Sequence, residues 1–239
     1  MSAVLGFIAI MTLIVGWWFA QQGLAVKPWL QVDGPAGAIQ RDGPRYVPAQ
    51  IGLGVFLAVV GSLFALLITG YLLRSEGGDW RAMPLPWLVW PNTLALVASG
   101  AALEWALSAA RAGALDKARS GVLVALAGTA LFLVGQFVTW RMLAASGNFV
   151  NSGPADSFFY LMTAAHGLHI IGGMVALARS HDRILRGERL DRIQISVELS
   201  TIYLLFMLFV WVLLLMVLSG GAAEFLALCG QILFDGGVP

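Results

Sequence analysis

The sequence predicts an all-α, polytopic membrane helix bundle with about six transmembrane helices. Three observations predict it. Of the 239 residues, 59% are hydrophobic and 11% charged, against roughly 45–50% and about 25% in an ordinary soluble domain. Mean hydropathy is +0.83. Apolar segments near the about 20 residues needed to cross a hydrocarbon core recur along the chain, and none shows the short alternation of a membrane barrel. Such a chain cannot cover a soluble surface with polar groups, so a soluble enzyme or a disordered protein is disfavoured. The net charge of +1 offers no field for phosphates, and no nucleic-acid partner is expected. The single cysteine, Cys229, leaves no internal disulfide and no cysteine-pair metal site.

The first apolar segment, Val4–Ala20, follows no Lys or Arg and lacks a small-residue cleavage site, so it reads as a retained helix. A linker rich in proline and glycine, Lys27–Pro48, leads to the second span, Val47–Leu73. Gly77-Gly78 and Pro84 then break the chain before the third, Leu85–Ser108. The fourth, Ser120–Leu143, carries Gly121, Gly128 and Gly135 at seven-residue intervals. That stripe would let another helix approach closely, and Gln136 beside it could bridge helices. Ser146–Pro154 is a third breaker-rich linker. Ser157–Ala178 is the fifth span and Ser196–Ser219 the sixth. Residues 1–239 form one transmembrane domain without internal repeats, and the stretch Ala222–Phe234 is too short to span.

Orientation follows from the cations. Lys27, Arg41, Arg45, Arg111, Lys117, Arg119, Arg179, Arg183, Arg186, Arg189 and Arg192 fall in the odd loops; only Arg74, Arg81 and Arg141 fall on the other side. The odd loops are predicted to be cytoplasmic, with both termini outside. The fifth loop, Arg179 to Arg192, is the richest in arginine. It reads equally as an anionic-headgroup site and as the ordinary positive-inside signal.

Few polar residues enter the spans. His166 and His169 sit three apart on one helix face. Metal or haem ligation is one reading, and hydrogen bonding to neighbouring helices is the other and carries more weight; His181, the remaining histidine, is expected in a loop. Glu104 and Glu198 lie toward the cytoplasmic ends of spans three and six, with Glu198 expected in its helix's first turn, where a negative charge suits the macrodipole. No further intramembrane charge completes a proton relay.

The segment Ser-Phe-Phe-Tyr-Leu-Met-Thr-Ala-Ala-His-Gly-Leu-His-Ile-Ile-Gly-Gly, Ser157–Gly173, strongly resembles a signature of the cytochrome c oxidase subunit III family, the third core subunit of haem-copper terminal oxidases. Trp90-Pro91-Asn92-Thr93 through Ser99-Gly100 and Trp105, then Gly135-Gln136 with Trp140, then Glu198, Tyr203, Phe206 and Trp211, resemble further family stretches in the same order. Trp17-Trp18 and Arg45-Tyr46 fit its early part more loosely. The resemblance implies the family fold minus its first helix, with phospholipid in a cleft between helix groups. It implies headgroup contacts at Arg183 and, more weakly, Arg45. His166, Gly167, His169, Glu198, Trp211, Asn92 and Gln136 would be structural family residues, with no catalytic or metal-ligating residue. Two departures stand out. The family's last helix usually reads Tyr-Trp-His-Phe, often followed by an acid, where this chain has Tyr203-Leu204-Leu205-Phe206-Met207-Leu208. A family glutamate about ten residues after Arg-Tyr falls at Gly54-Val55. Proton-linked roles tied to those groups are not expected here.

The function implied is a non-catalytic core subunit of a respiratory oxidase that reduces oxygen to water and translocates protons. Haem and copper would lie in partner subunits I and II; this chain would stabilise the catalytic subunit, hold lipid and support proton uptake, in a bacterial inner membrane. An accessory subunit of a quinol oxidase or nitric oxide reductase is the alternative within the same class. A standalone transporter and a haem-binding anchor are the alternatives outside it. The scarcity of intramembrane charge and the lack of repeats weigh against a transporter.

Overall fold

Each described helix outruns the hydrocarbon core it is apolar enough to cross. A computed structural model describes residues 47–77, 80, 81, 83 and 85–220. Within them lie α1 (Val47–Ser75), α2 (Val89–Arg111), α3 (Leu115–Ala145), α4 (Pro154–Leu185) and α5 (Leu190–Leu218). The fold is all-helical, and these five helices are long and apolar enough to span a membrane. The first predicted span, Val4–Ala20, lies outside the described residues, as do Trp17, Trp18, Arg45 and Cys229.

The boundaries correct the predicted ones in a consistent way. At 1.5 Å per residue, α4 with its 32 residues is about 48 Å long, against a hydrocarbon core of about 30 Å. Helices therefore run on into the headgroup zone, and charges placed in loops by the sequence lie on helices. Lys117 and Arg119 are in the first turns of α3, and His181 is on α4. The supposed fifth loop is largely helical. Arg179 and Arg183 lie on the last turns of α4 and Arg192 on the first turn of α5, leaving a connection of Arg186–Arg189. Glu198 is two turns into α5; the first-turn acid is Asp191.

Sequence explains where the helices stop. Gly113 and Gly187 have φ of 73° and 62°, a left-handed conformation that glycine adopts without a Cβ penalty. Around them Ala114 N donates to Ala109 O at 2.9 Å and Glu188 N to Arg183 O at 3.2 Å, closing helix ends with the same 6→1 bond. Helix starts are equally legible. Pro154 opens α4, where a missing N–H is harmless. Asp116, Asp156 and Asp191 put an acid in the first turn of α3, α4 and α5.

The chain divides into two units within α1, Met1–Ala65 and Leu66–Pro239. In the second, α2, α3, α4 and α5 form a ring: each packs on the next, and α5 returns to α2. The closest pair is α2 and α3. The glycines at 121, 128 and 135 face Ala106, Ser99 and Asn92 respectively, which also recur every seven residues. Two matched heptad tracks of small residues thus bring the backbones together. At Gly121 an added Cβ would lie 2.8 Å from Ala106 Cβ and 3.0 Å from the Ala102 carbonyl.

Candidate functional site

All four helices of the ring meet in one buried layer around His166. The side chain is fully buried, and its Nε2 lies 3.1 Å from the Met207 carbonyl of α5. A carbonyl only accepts, so this nitrogen carries the proton and donates. The imidazole lies against Trp211 of α5, centroids 4.9 Å apart. Phe132 of α3 meets both rings edge-on, at 5.6 Å from His166 and 4.9 Å from Trp211. Trp211 Nε1 then donates to Thr93 Oγ1 of α2 at 3.0 Å. One hydrogen-bonded aromatic stack therefore links α2, α3, α4 and α5.

His169 does different work. Its Nδ1 donates to the Ala165 carbonyl of its own helix at 2.7 Å, and its carbonyl accepts from Tyr203 Oη at 2.7 Å. The Tyr203 ring reaches that position over Gly173, where an added Cβ would be 2.8 Å from Cε1. The predicted shared face is real, but the two imidazoles take separate partners. Among the described residues no group of three or more His, Cys, Asp or Glu side chains could hold a metal ion. Gly167, between the histidines, has the Leu133 side chain 3.8 Å from an added Cβ, so close packing does not require a glycine there.

The remaining site residues spread along the bundle. Trp140 Nε1 donates to Thr163 Oγ1 at 3.0 Å, and Tyr160 Oη to the Asn148 carbonyl at 2.9 Å, tying α3 and its following loop to α4. At the opposite end Ser180, Ser196 and Ser200 form a hydroxyl cluster between α4 and α5, with Oγ separations from Ser180 of 2.8 and 3.1 Å. Gln194 Nε2 donates to the Ala110 carbonyl at 3.0 Å, and Glu198 lies 3.5 Å from Arg111. Asn92 and Gln136 are 5% and 3% exposed. Asn92 Nδ2 and both polar atoms of Gln136 have no hydrogen-bond partner among the described residues, so Gln136 does not make the predicted bridge to a neighbouring helix. Arg183 is half-buried on the last turn of α4. Arg179, Arg183 and Arg192 make no ion pair among the described residues, whereas Arg186 pairs with Asp182 and Arg189 with Asp191.

Sequence reasoning missed Phe132, the Met207 carbonyl and the serine cluster. Phe132 is one aromatic in an apolar run, and a backbone acceptor leaves no mark in sequence. Ser196 and Ser200, four apart, gave the only available signal. Where the family usually has a histidine and an acid, Leu205 and Leu208 pack on Gly100 of α2, with side-chain carbons 3.2 and 3.6 Å from an added Cβ. Apolar filling of the α2–α5 contact takes the place of those polar groups.

Known proteins match across this same region. The family model for cytochrome c oxidase subunit III matches residues 81–220, which covers the ring and its buried layer. A probable cytochrome c oxidase subunit 3 of Mycobacterium tuberculosis is 31% identical over 131 residues, 53% of this chain and 64% of that protein. Its counterpart in Nocardia farcinica is 31% identical over 153 residues, covering 61% and 75%. Cytochrome c oxidase subunit 3 of Yarrowia lipolytica is 30% identical over 183 residues, covering 70% and 66%. The chain thus spans somewhat under two thirds of the mycobacterial protein's length, 64%. With the histidine-bearing helix, its aromatic clasp and the Asn-Thr helix all inside the matched segment, the chain belongs to the cytochrome c oxidase subunit III family.

Proposed function

We propose that this chain is a non-catalytic core subunit of a respiratory haem-copper oxidase, which reduces oxygen and moves protons through its partner subunits I and II. The observation that carries the reading is the buried layer at His166. The family's most distinctive segment is used there to lock four helices together. Haem and copper would sit in the partner subunits, as the family resemblance implies. The role left to this chain is mechanical and electrostatic: a stable helical ring beside the catalytic subunit, lipid held at its surface, and support of proton uptake.

We assign lipid contact to the arginine-rich end. Arg179, Arg183 and Arg192 lie at helix termini without an acidic partner among the described residues, so a phosphate headgroup supplies the missing charge. Arg45 would join them only by family resemblance. The positive-inside rule puts this end in the cytoplasm, and both chain ends on the other side of a bacterial inner membrane.

The test is purification of the chain from its native membrane in mild detergent, with a haem spectrum and turnover using reduced cytochrome c or quinol. A haem-copper subunit should co-purify, and cytochrome c should be the productive donor. A stable assembly lacking any haem-copper subunit would overturn the proposal. Productive turnover with quinol alone would move the chain to a quinol oxidase.

A further inference from the structure

Glu104 lies on the outward face of α2, exposed, at a depth where an exposed carboxylate is costly. It precedes the last residue of the helix, Arg111, by seven positions, about 10 Å along the axis. The helix has 23 residues, about 34 Å; centred on a hydrocarbon core of about 30 Å, it would set Glu104 roughly 8 Å below the interface. Reaching back to the near interface is disfavoured by helix geometry. Side chains lean toward the helix N-terminus, which here directs the carboxylate toward the membrane centre. No ion pair joins Glu104 to any described residue, and Arg111, the basic residue two turns away, is engaged with Glu198 at 3.5 Å. Around it the exposed face runs through Leu94, Val97, Ala98, Ala101 and Ser108. Trp105 flanks it at 49% exposure. The small residues allow close approach of another helix, and the lone acid demands a donor within it.

We propose that this face of α2 docks a transmembrane helix of another protein, and that the partner presents a basic side chain to Glu104. Charge complementarity commits the occupant: lipid tails cannot satisfy a carboxylate, whereas a Lys or Arg on a facing helix does so without water. The inference does not depend on which complex the chain joins.

The experiment uses the full chain in its native membrane. A photo-crosslinking amino acid is placed at Ala101 or Ser108, with Leu131 on the exposed face of α3 as control, and Glu104→Gln and Glu104→Leu are made separately. Ala101 and Ser108 should each give a protein adduct in one partner segment carrying a Lys or Arg. Both Glu104 variants should lose that partner in detergent at least about thirtyfold more readily, the lower end of the scale for an unpaired buried charge partner. Replacing the mapped basic residue with leucine alongside Glu104→Leu should restore retention. Lipid adducts only, an adduct within this chain's own residues, or a partner segment without a basic side chain would each overturn the proposal. So would full retention in both Glu104 variants.

Discussion

Replacing Gly121 with alanine tests whether the heptad track holds α2 and α3 together. The new Cβ would meet Ala106 Cβ at 2.8 Å, the Ala102 carbonyl at 3.0 Å and Trp105 Cε3 at 3.0 Å. Carbon atoms in good contact sit about 3.5–4.0 Å apart. A methyl carbon and a backbone carbonyl cannot rotate away, so the helices must separate by roughly 0.7–1.2 Å, the shortfall from that contact distance. Overpacking of this kind costs about 1–3 kcal/mol, and the upper end applies because no flexible neighbour gives way. Alanine returns about 1 kcal/mol through helix propensity. The net expectation is a loss of about 2 kcal/mol. Gly167→Ala is the internal control. Its nearest neighbour is at 3.8 Å, so the propensity gain stands and the variant should be up to about 1 kcal/mol more stable. Reversible unfolding of the full chain in mixed micelles, by denaturing-detergent titration, reads both. Ala106→Gly added to Gly121→Ala should recover part of the loss. If Gly121→Ala matches or exceeds the parent, the close approach of α2 and α3 does not limit stability and the reasoning fails.

Other substitutions probe the buried layer. His166→Leu removes the bond to Met207 and two aromatic contacts and should destabilise the chain by about 1–3 kcal/mol in the same titration, with no loss of metal from this chain. Trp211→Phe keeps the ring stack but leaves Thr93 without its donor; a smaller loss, about 0.6–1.7 kcal/mol, is expected for one interhelical hydrogen bond in a membrane. Gln136→Met removes a buried amide with no partner among the described residues. It should be neutral or stabilising by about 1 kcal/mol, and a marked loss would show that the amide has a partner. Glu198→Gln should weaken the half-exposed contact with Arg111 by less than about 1 kcal/mol, and high salt should erase the difference.

Much of this architecture was legible because membrane helices declare themselves by composition. Every described helix overlaps a predicted span, and Gly113, Gly147 and Gly187 in the connections have positive φ. The errors share one cause. Hydropathy reports the apolar middle of a helix, whereas hydrogen bonding continues through charged terminal turns. Hydropathy therefore leaves Lys117, Arg119, Arg179 and Arg183 in loops, and puts Glu198 in a first turn it does not occupy. The candidate site divided along similar lines. Spacing put His166 and His169 on one face, but it carries no information on what lies opposite. The acceptor for His166 is a backbone carbonyl on a helix 41 residues away, which no residue type advertises.

That choice of acceptor bears on what a buried histidine does for this helix pair. A helical carbonyl already accepts one bond from the N–H four residues on, yet it keeps a second lone pair. In hydrocarbon, an imidazole N–H has few other places to go. Sliding α4 along α5 by one turn would carry His166 about 5.4 Å along the axis, away from Met207, and lift its ring off Trp211. It would also drive the Tyr203 ring off Gly173, the glycine beneath it. Apolar contact alone would tolerate that slide, because leucine packs against leucine at many registers. His166, Tyr203 and Trp211 each add a bond that exists at one register only. Their value is specificity of helix alignment more than net stability, since such bonds average only about 0.6 kcal/mol in membranes. In the role proposed above, presenting fixed surfaces to partner subunits would depend on that alignment.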